Sequence, residues 1–361
     1  MKETLSSLQR VQAVLDGRLP DRLPVLPLTC IWVGQQAGMT MDEMYGDAAR
    51  MARAHVEAWR RFAYDGCVIS FDTAVLAEAC GAKVIRRPDA QIVVDEGAPL
   101  LKDLRDVEQL EVPDPHRAGR LPYWLEVTRR VADAVGNETF VMGCADQMPF
   151  SLACALRGTQ TFMMDLLTAD PEAIARVIDY GRRVHIRFAT AYREAGARAI
   201  TTGDAPAGPS MIAPEQYRRF AWAAEKACVE AEQAAGIAVS LHICGNTTPI
   251  LADMVACGSR LIEVDWMVDL ARLRALADAT GAVILGNVNP ADPLAFGTPA
   301  AVEAAVAEAI SQTRGRGFII GSGCLVSRHT PAANIAALVT AARTHGAGER
   351  LAALAHKEVP S

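Results

Sequence analysis

No run among the 361 residues stays apolar long enough to cross a bilayer. An excess of basic residues is missing as well: 36 Lys and Arg stand against 42 Asp and Glu, for a net charge of -6. The first absence argues against a membrane span, and the second against a surface for nucleic acid or anionic lipid. The N-terminus lacks the basic start and unbroken apolar centre of a secretory signal. Residues 1–16 instead carry Leu5, Leu8, Val11 and Leu15 at helical spacing. Low-complexity sequence and Ser/Gly/Pro linkers are also lacking, so the expectation is one domain over residues 1–361. Cysteine is not paired in number. The nine cysteines lie scattered in apolar segments, which reads as reduced thiols of a cytoplasmic protein rather than a disulfide framework.

What the chain does have is a rhythm. Helical patterns end at Gly66, Gly136, Gly196, Gly236, Gly258, Gly281 and Gly317, and apolar runs follow at 67–71, 140–142, 199–202, 238–241, 261–264, 282–285 and 318–320. Glycine past a helix end supplies a left-handed cap, and runs of this length fit parallel strands buried on both faces. With an earlier run at 25–32 the count is eight. That predicts an α/β fold, a single (β/α)8 TIM barrel with an N-terminal helix; an open doubly wound sheet is the alternative. Between the second and third strands, residues 83–95 hold two β-type runs around Pro88-Asp89, read as a β-hairpin insertion beside the barrel mouth.

Residues two apart in a strand share a face, so His242 and Cys244, closing the fifth run, point the same way. An imidazole nitrogen and a thiolate suit zinc or another borderline-soft ion, and a third ligand must come from elsewhere. Cys324, closing the eighth run, is the candidate, because a closed barrel brings both ends to one rim. Asp72, Cys144, Asp146, Asp204, Asp265, Asn287 and Asn289 also fall just past strands, where a barrel carries its site. Cys67, Cys80, Cys154, Cys228 and Cys257 read as core residues, and His185 as a surface or packing residue.

Several pieces carry a resemblance: Gln36-Ala37-Gly38, Phe71-Asp72 with Glu78-Ala79-Cys80-Gly81-Ala82-Lys83, His242-Ile243-Cys244-Gly245-Asn246-Thr247, and Gly321-Ser322-Gly323-Cys324 followed by Thr330-Pro331. In these the chain resembles the uroporphyrinogen decarboxylase superfamily, and within it the zinc methyltransferases that take a methyl group from a corrinoid protein. The resemblance implies that His242, Cys244 and Cys324 hold a catalytic Zn²⁺, with Asp265 as fourth ligand when no thiol is bound. It implies Asp72, Asp146, Asp204 and Asn289 as substrate-lining residues. The implied donor is methylcobalamin or a corrinoid protein, and the implied acceptor a small thiol such as coenzyme M, or tetrahydrofolate, within a demethylation pathway. Neither nucleic acid nor membrane is an expected partner, and a homodimer is compatible with the pattern.

The decarboxylase branch differs at two places. It reads Arg-Gln-Ala-Gly-Arg near its first strand, its arginines facing substrate carboxylates, where this chain reads Gln35-Gln36-Ala37-Gly38-Met39. It also carries a histidine in the loop after its eighth strand, where this chain has Cys324. Without those cations a polyanionic porphyrinogen would bury uncompensated charge. Tetrapyrrole decarboxylation is therefore the second reading, and a non-catalytic zinc- or corrinoid-binding protein the third.

Overall fold

Short apolar runs with glycine-capped helices between them have one efficient arrangement, strands inside and helices outside. The computed structural model describes residues 3–70 and 72–355, so Phe71 of the Phe71-Asp72 motif lies outside the described residues. Its strands are β1 (Gly66–Ile69), β2 (Val84–Ile85), β3 (Val93–Val94), β4 (Phe140–Cys144), β5 (Ala199–Gly203), β6 (Ala238–Ile243), β7 (Leu261–Val264), β8 (Val283–Val288) and β9 (Phe318–Ser322). Strands β1 and β4 to β9 pair in parallel in chain order, with helices on the connections. The expected hairpin is present: β2 and β3 pair antiparallel, Val84 opposite Val94.

The run at 25–32 corrects the expectation of a full first strand. Only Val25 pairs, in a parallel bridge to Ile320, and Cys30–Gln36 is a helix. Pro24 and Pro27 have no amide hydrogen, so the ladder cannot propagate through them. The segment still closes the barrel. The Leu26 amide donates to the Ile320 carbonyl (2.7 Å) on one side, and the Asp65 amide donates to the Val25 carbonyl (2.6 Å) on the other.

Strand parity fills the barrel. Leu26, Leu28, Val68, Phe140, Met142, Ala199, Leu261, Val283, Leu285 and Ile319 form an inner apolar cluster, with Val11, Val14 and Leu15 of the N-terminal helix Ser7–Leu15 packed onto it. Two residues further along the strands the inward positions turn polar: Thr201, Glu263 and, after Ser240, His242. The interior is thus apolar at the strand starts and polar at the ends. Among the described residues no helix is long and apolar enough to cross a membrane.

Five of the seven marked glycines, from Gly196 onward, have positive φ as a left-handed cap requires. Gly66 does not, because it belongs to β1. A Cβ there would lie 2.4 Å from a Leu26 methyl and 2.6 Å from the Phe140 carbonyl, so its smallness serves closure, and Ala63 takes the left-handed cap instead.

Candidate metal centre

His242 sits near the end of β6, Cys244 just beyond it, and Cys324 two residues past β9. The imidazole Nε2 lies 3.1 Å from Cys244 Sγ, which lies 3.9 Å from Cys324 Sγ. All three donor atoms are within 4.8 Å of one another. Two thiolates on one tetrahedral Zn²⁺, each at about 2.3 Å, stand about 3.8 Å apart. The sulfur pair therefore already has the spacing of a shared cation, and the N, S, S donor set is one that zinc favours.

The other face of the ring is held. Nδ1 lies 3.3 Å from the backbone carbonyl of Glu263 and 3.5 Å from its Oε1. A proton kept on Nδ1 satisfies these acceptors, and loss of the other ring proton to a metal would leave the Nε2 lone pair facing the sulfurs. Glu263 is fully buried; its Oε2 accepts from Thr201 Oγ1 (2.8 Å) and Ser240 Oγ (3.2 Å). Its role escaped the sequence, where 261–264 reads as one more apolar strand. The only signal was an acid in the middle of that run.

Protons are already displaced here. The Cys244 thiol hydrogen-bonded to Cys324, with the nearby imidazole, holds the Cys324 thiol down to about 4, while Cys244 is pushed up by that same sharing and by burial. Burial opposes charging of His242, but Cys324 and Glu263 prevail and raise it to about 9. The three groups behave as a thiolate, a thiol and an imidazolium, a set that a divalent cation converts to ligands by displacing the remaining protons.

A cavity of about 290 Å³ opens beside His242 and Cys244, bounded by Glu263, Asp146, Cys144, residues of the helix Pro149–Arg157 and the hairpin residues Val93 and Val94. Asp146 is buried at its wall, its Oδ1 accepting from the Gly203 amide (2.9 Å), and burial pushes its carboxyl up to about 7. Asp265 stays outside the set of mutually close donors. Its Oδ2 accepts from the Gly245 amide (2.9 Å), and its buried Oδ1 has no partner. Asn287 donates to the carbonyls of Asp265 (3.2 Å) and Val268 (3.0 Å), fixing that loop.

The remaining candidates are engaged elsewhere. Asp72 is paired with the buried Arg120 and accepts from Trp124 Nε1 (3.1 Å). Asp204 accepts from the amide (2.7 Å) and hydroxyl (2.6 Å) of Ser151. Asn289 caps the turn after β8 through the Ala291 amide (2.9 Å) and lines a separate surface groove. A second close group, His185, Cys228 and Glu232, is wholly buried between helices, with His185 Nε2 2.8 Å from Glu232 Oε1.

The chain is similar to methylcobamide:CoM methyltransferase MtbA of Methanosarcina mazei, 29% identical over 342 residues that cover 93% of this chain and 97% of that protein. It is also 26% identical to a uroporphyrinogen decarboxylase of Parasynechococcus marenigrum, over 78% of this chain and 79% of that one. Among solved structures, a methyltransferase from Methanosarcina mazei superposes with a TM-score of 0.86 at 25% identity, covering 94% of this chain and 99% of that one. The model of the family described as Uroporphyrinogen decarboxylase (URO-D) matches residues 6–345, and the chain belongs to that family.

Proposed function

We propose that this protein is a zinc-dependent methyltransferase that moves a methyl group from a corrinoid to a small thiol. The observation that carries the reading is the convergence of His242 Nε2, Cys244 Sγ and Cys324 Sγ from two strand ends 80 residues apart. The similarity to a methylcobamide:CoM methyltransferase over nearly the full length of both chains supports it. Bound there, Zn²⁺ would lower the pKa of an incoming thiol and keep it as a nucleophilic thiolate. In the transfer the thiol loses its proton and its sulfur bonds to the methyl carbon. The cobalt–carbon bond breaks with both electrons left on cobalt, so Co(III) departs as Co(I).

The protein's own part is positional. Glu263 holds the imidazole tautomer, Asp146 and Glu263 bound the acceptor cavity, and the hairpin walls it on one side. A cavity of about 290 Å³ suits a small thiol better than a pterin with its glutamate tail. Met211, Trp266, Met267 and Phe296 are exposed apolar side chains on loops that follow β5, β7 and β8, at the same end of the barrel. They would suit a corrinoid-bearing partner that must approach the thiolate closely.

The missing arginines at Gln35 and Met39 weigh against decarboxylation of a porphyrinogen. The test is to incubate zinc-loaded protein with methylcobalamin and 2-mercaptoethanol and to follow the change in the cobalamin spectrum. Transfer that is lost on chelation, restored by zinc and abolished in Cys244→Ala and Cys324→Ala is expected. Undiminished transfer in both variants would overturn the reading.

A further inference from the structure

The charge on the acceptor can be read from the walls that would hold it. The cavity beside His242 and Cys244 is lined by three carboxylic acids, Glu96, Asp146 and Glu263, and among the described residues no lysine or arginine lines it. Three arginines on neighbouring elements are already committed. Arg120 pairs with Asp72 and Glu78, Arg157 with Asp165, and Arg328 with Asp89. Glu96 is exposed at the cavity edge, where its Oε1 accepts from Thr159 Oγ1 at 2.6 Å. The rest of the lining is small, apolar or neutral: Thr73, Val94, Ser151, Cys154, Thr202 and Pro206. The centre adds no positive charge, because one divalent cation with two thiolates and a neutral imidazole sums to zero.

An anionic tail, such as the sulfonate of 2-mercaptoethanesulfonate, would enter this space with no cation to meet it and three acids around it. We infer that the acceptor is a small thiol whose far end is neutral or cationic, not an anionic one. This rests on the methyltransferase reading and narrows it. An ammonium or hydroxyl end finds acceptors in Glu96, Asp146 and the threonine and serine hydroxyls, whereas a sulfonate finds mostly other acceptors. The preference is therefore written into the walls and not into the metal ligands.

Three thiols of equal length and different charge test it: 2-mercaptoethanesulfonate, 2-mercaptoethanol and 2-aminoethanethiol. Their Kd values are read on Co²⁺-substituted protein by the sulfur-to-cobalt absorption band, and their kcat/KM values on the zinc protein with free methylcobalamin. Both are measured across pH 7–9, so that differences in thiol acidity separate from differences in fit. The sulfonate is expected to be weaker than the other two by on the order of tenfold or more, with the gap shrinking as salt is raised. Glu96→Gln should narrow that gap by improving the sulfonate and weakening 2-aminoethanethiol. Equal or better binding of the sulfonate overturns this inference and leaves the methyltransferase reading intact. Ordered binding with no methyl transfer to any thiol does the reverse, and failure of all three to bind overturns both.

Discussion

His242 Nδ1 lies 3.3 Å from the Glu263 carbonyl oxygen and 3.5 Å from the Glu263 carboxylate, so one residue of β7 engages the ring edge opposite the sulfurs. Partners of this kind fix a ligating histidine's tautomer and raise its basicity, and their loss costs roughly 10–100-fold in metal affinity. Glu263→Gln preserves shape and an acceptor for Thr201 and Ser240 but removes the charge. We expect it to fold as the parent does and to bind zinc about tenfold or more weakly, measured by competition with a chromophoric chelator. Unchanged affinity would show the carboxylate to be only a buried acceptor for the two hydroxyls.

Zinc content should separate the two proposed ligand cysteines from the other cysteines. Protein purified without added metal should carry close to one zinc per chain, and Cys244→Ala or Cys324→Ala should lower bound zinc severely by elemental analysis. Cys67→Ala is the control, since Cys67 is buried in the core and its thiol faces the His55 carbonyl. Its removal should cost stability, roughly 1 kcal/mol or more, with metal content unchanged.

Much of this was legible in the chain because a barrel is repetitive. Apolar runs after glycines mark seven strands within a few residues, and strand parity places His242 and Cys244 on one face. The first strand departs from the expectation because Val25 to Trp32 is apolar enough for a strand, while Pro24 and Pro27 remove amides that a ladder needs. Glu263 was hidden for a related reason. Side-chain partners such as Thr201 and Ser240 come from other strands, and a lone acid in an apolar run carries no sign of them. Asp72 and Asp204 were placed correctly past strand ends, but their engagement by Arg120 and Ser151 depends on helices whose orientation the sequence leaves open.

Asp65 is a test of the barrel floor, at the opposite end from His242, Cys244 and Cys324. It is fully buried, bonded by Arg10 Nη1 (2.6 Å) and Arg22 Nη1 (2.6 Å), and it accepts from the Val25 amide (2.8 Å) beside the closing bridge. Asp65→Ala leaves two guanidinium groups buried without this partner and should cost roughly 3–5 kcal/mol, read from urea unfolding of the zinc-saturated protein. Asp65→Asn should lose less, because it keeps an acceptor for the Val25 amide. Zinc affinity of the folded protein should stay unchanged in the asparagine variant, since the perturbation lies at the strand starts.

The buried pair Asp204 and Glu225 makes stability depend on pH. Both are fully buried and act on each other's ionisation, and Asp204 Oδ2 and Glu225 Oε1 have no hydrogen-bond donor, which favours a proton on one of the pair; Glu225 also accepts from the Tyr217 hydroxyl (2.6 Å). Burial pushes Asp204 up to about 6, and burial together with the Asp204 charge pushes Glu225 well above the usual carboxyl range. In the unfolded chain both acids ionise near their ordinary values of 3.8 and 4.5. The folded state thus holds protons that the unfolded state releases, so this contribution is fully present below about pH 4. It is lost as pH rises through about 6 and onward, where the cost of ionising the pair falls on the folded protein alone. Glu225→Gln keeps an acceptor for Tyr217 and offers Asp204 an amide donor that needs no proton. In calorimetric melts at saturating zinc, the variant's Tm should fall less than the parent's between pH 5 and 8. The gap should reach a few degrees at pH 8, the size expected for about 1–2 kcal/mol in a chain of this length. Parallel pH curves would mean that the pair is already neutralised by another neighbour, and His185, whose charge acts on Asp204 from across the helices, would then be the residue to change.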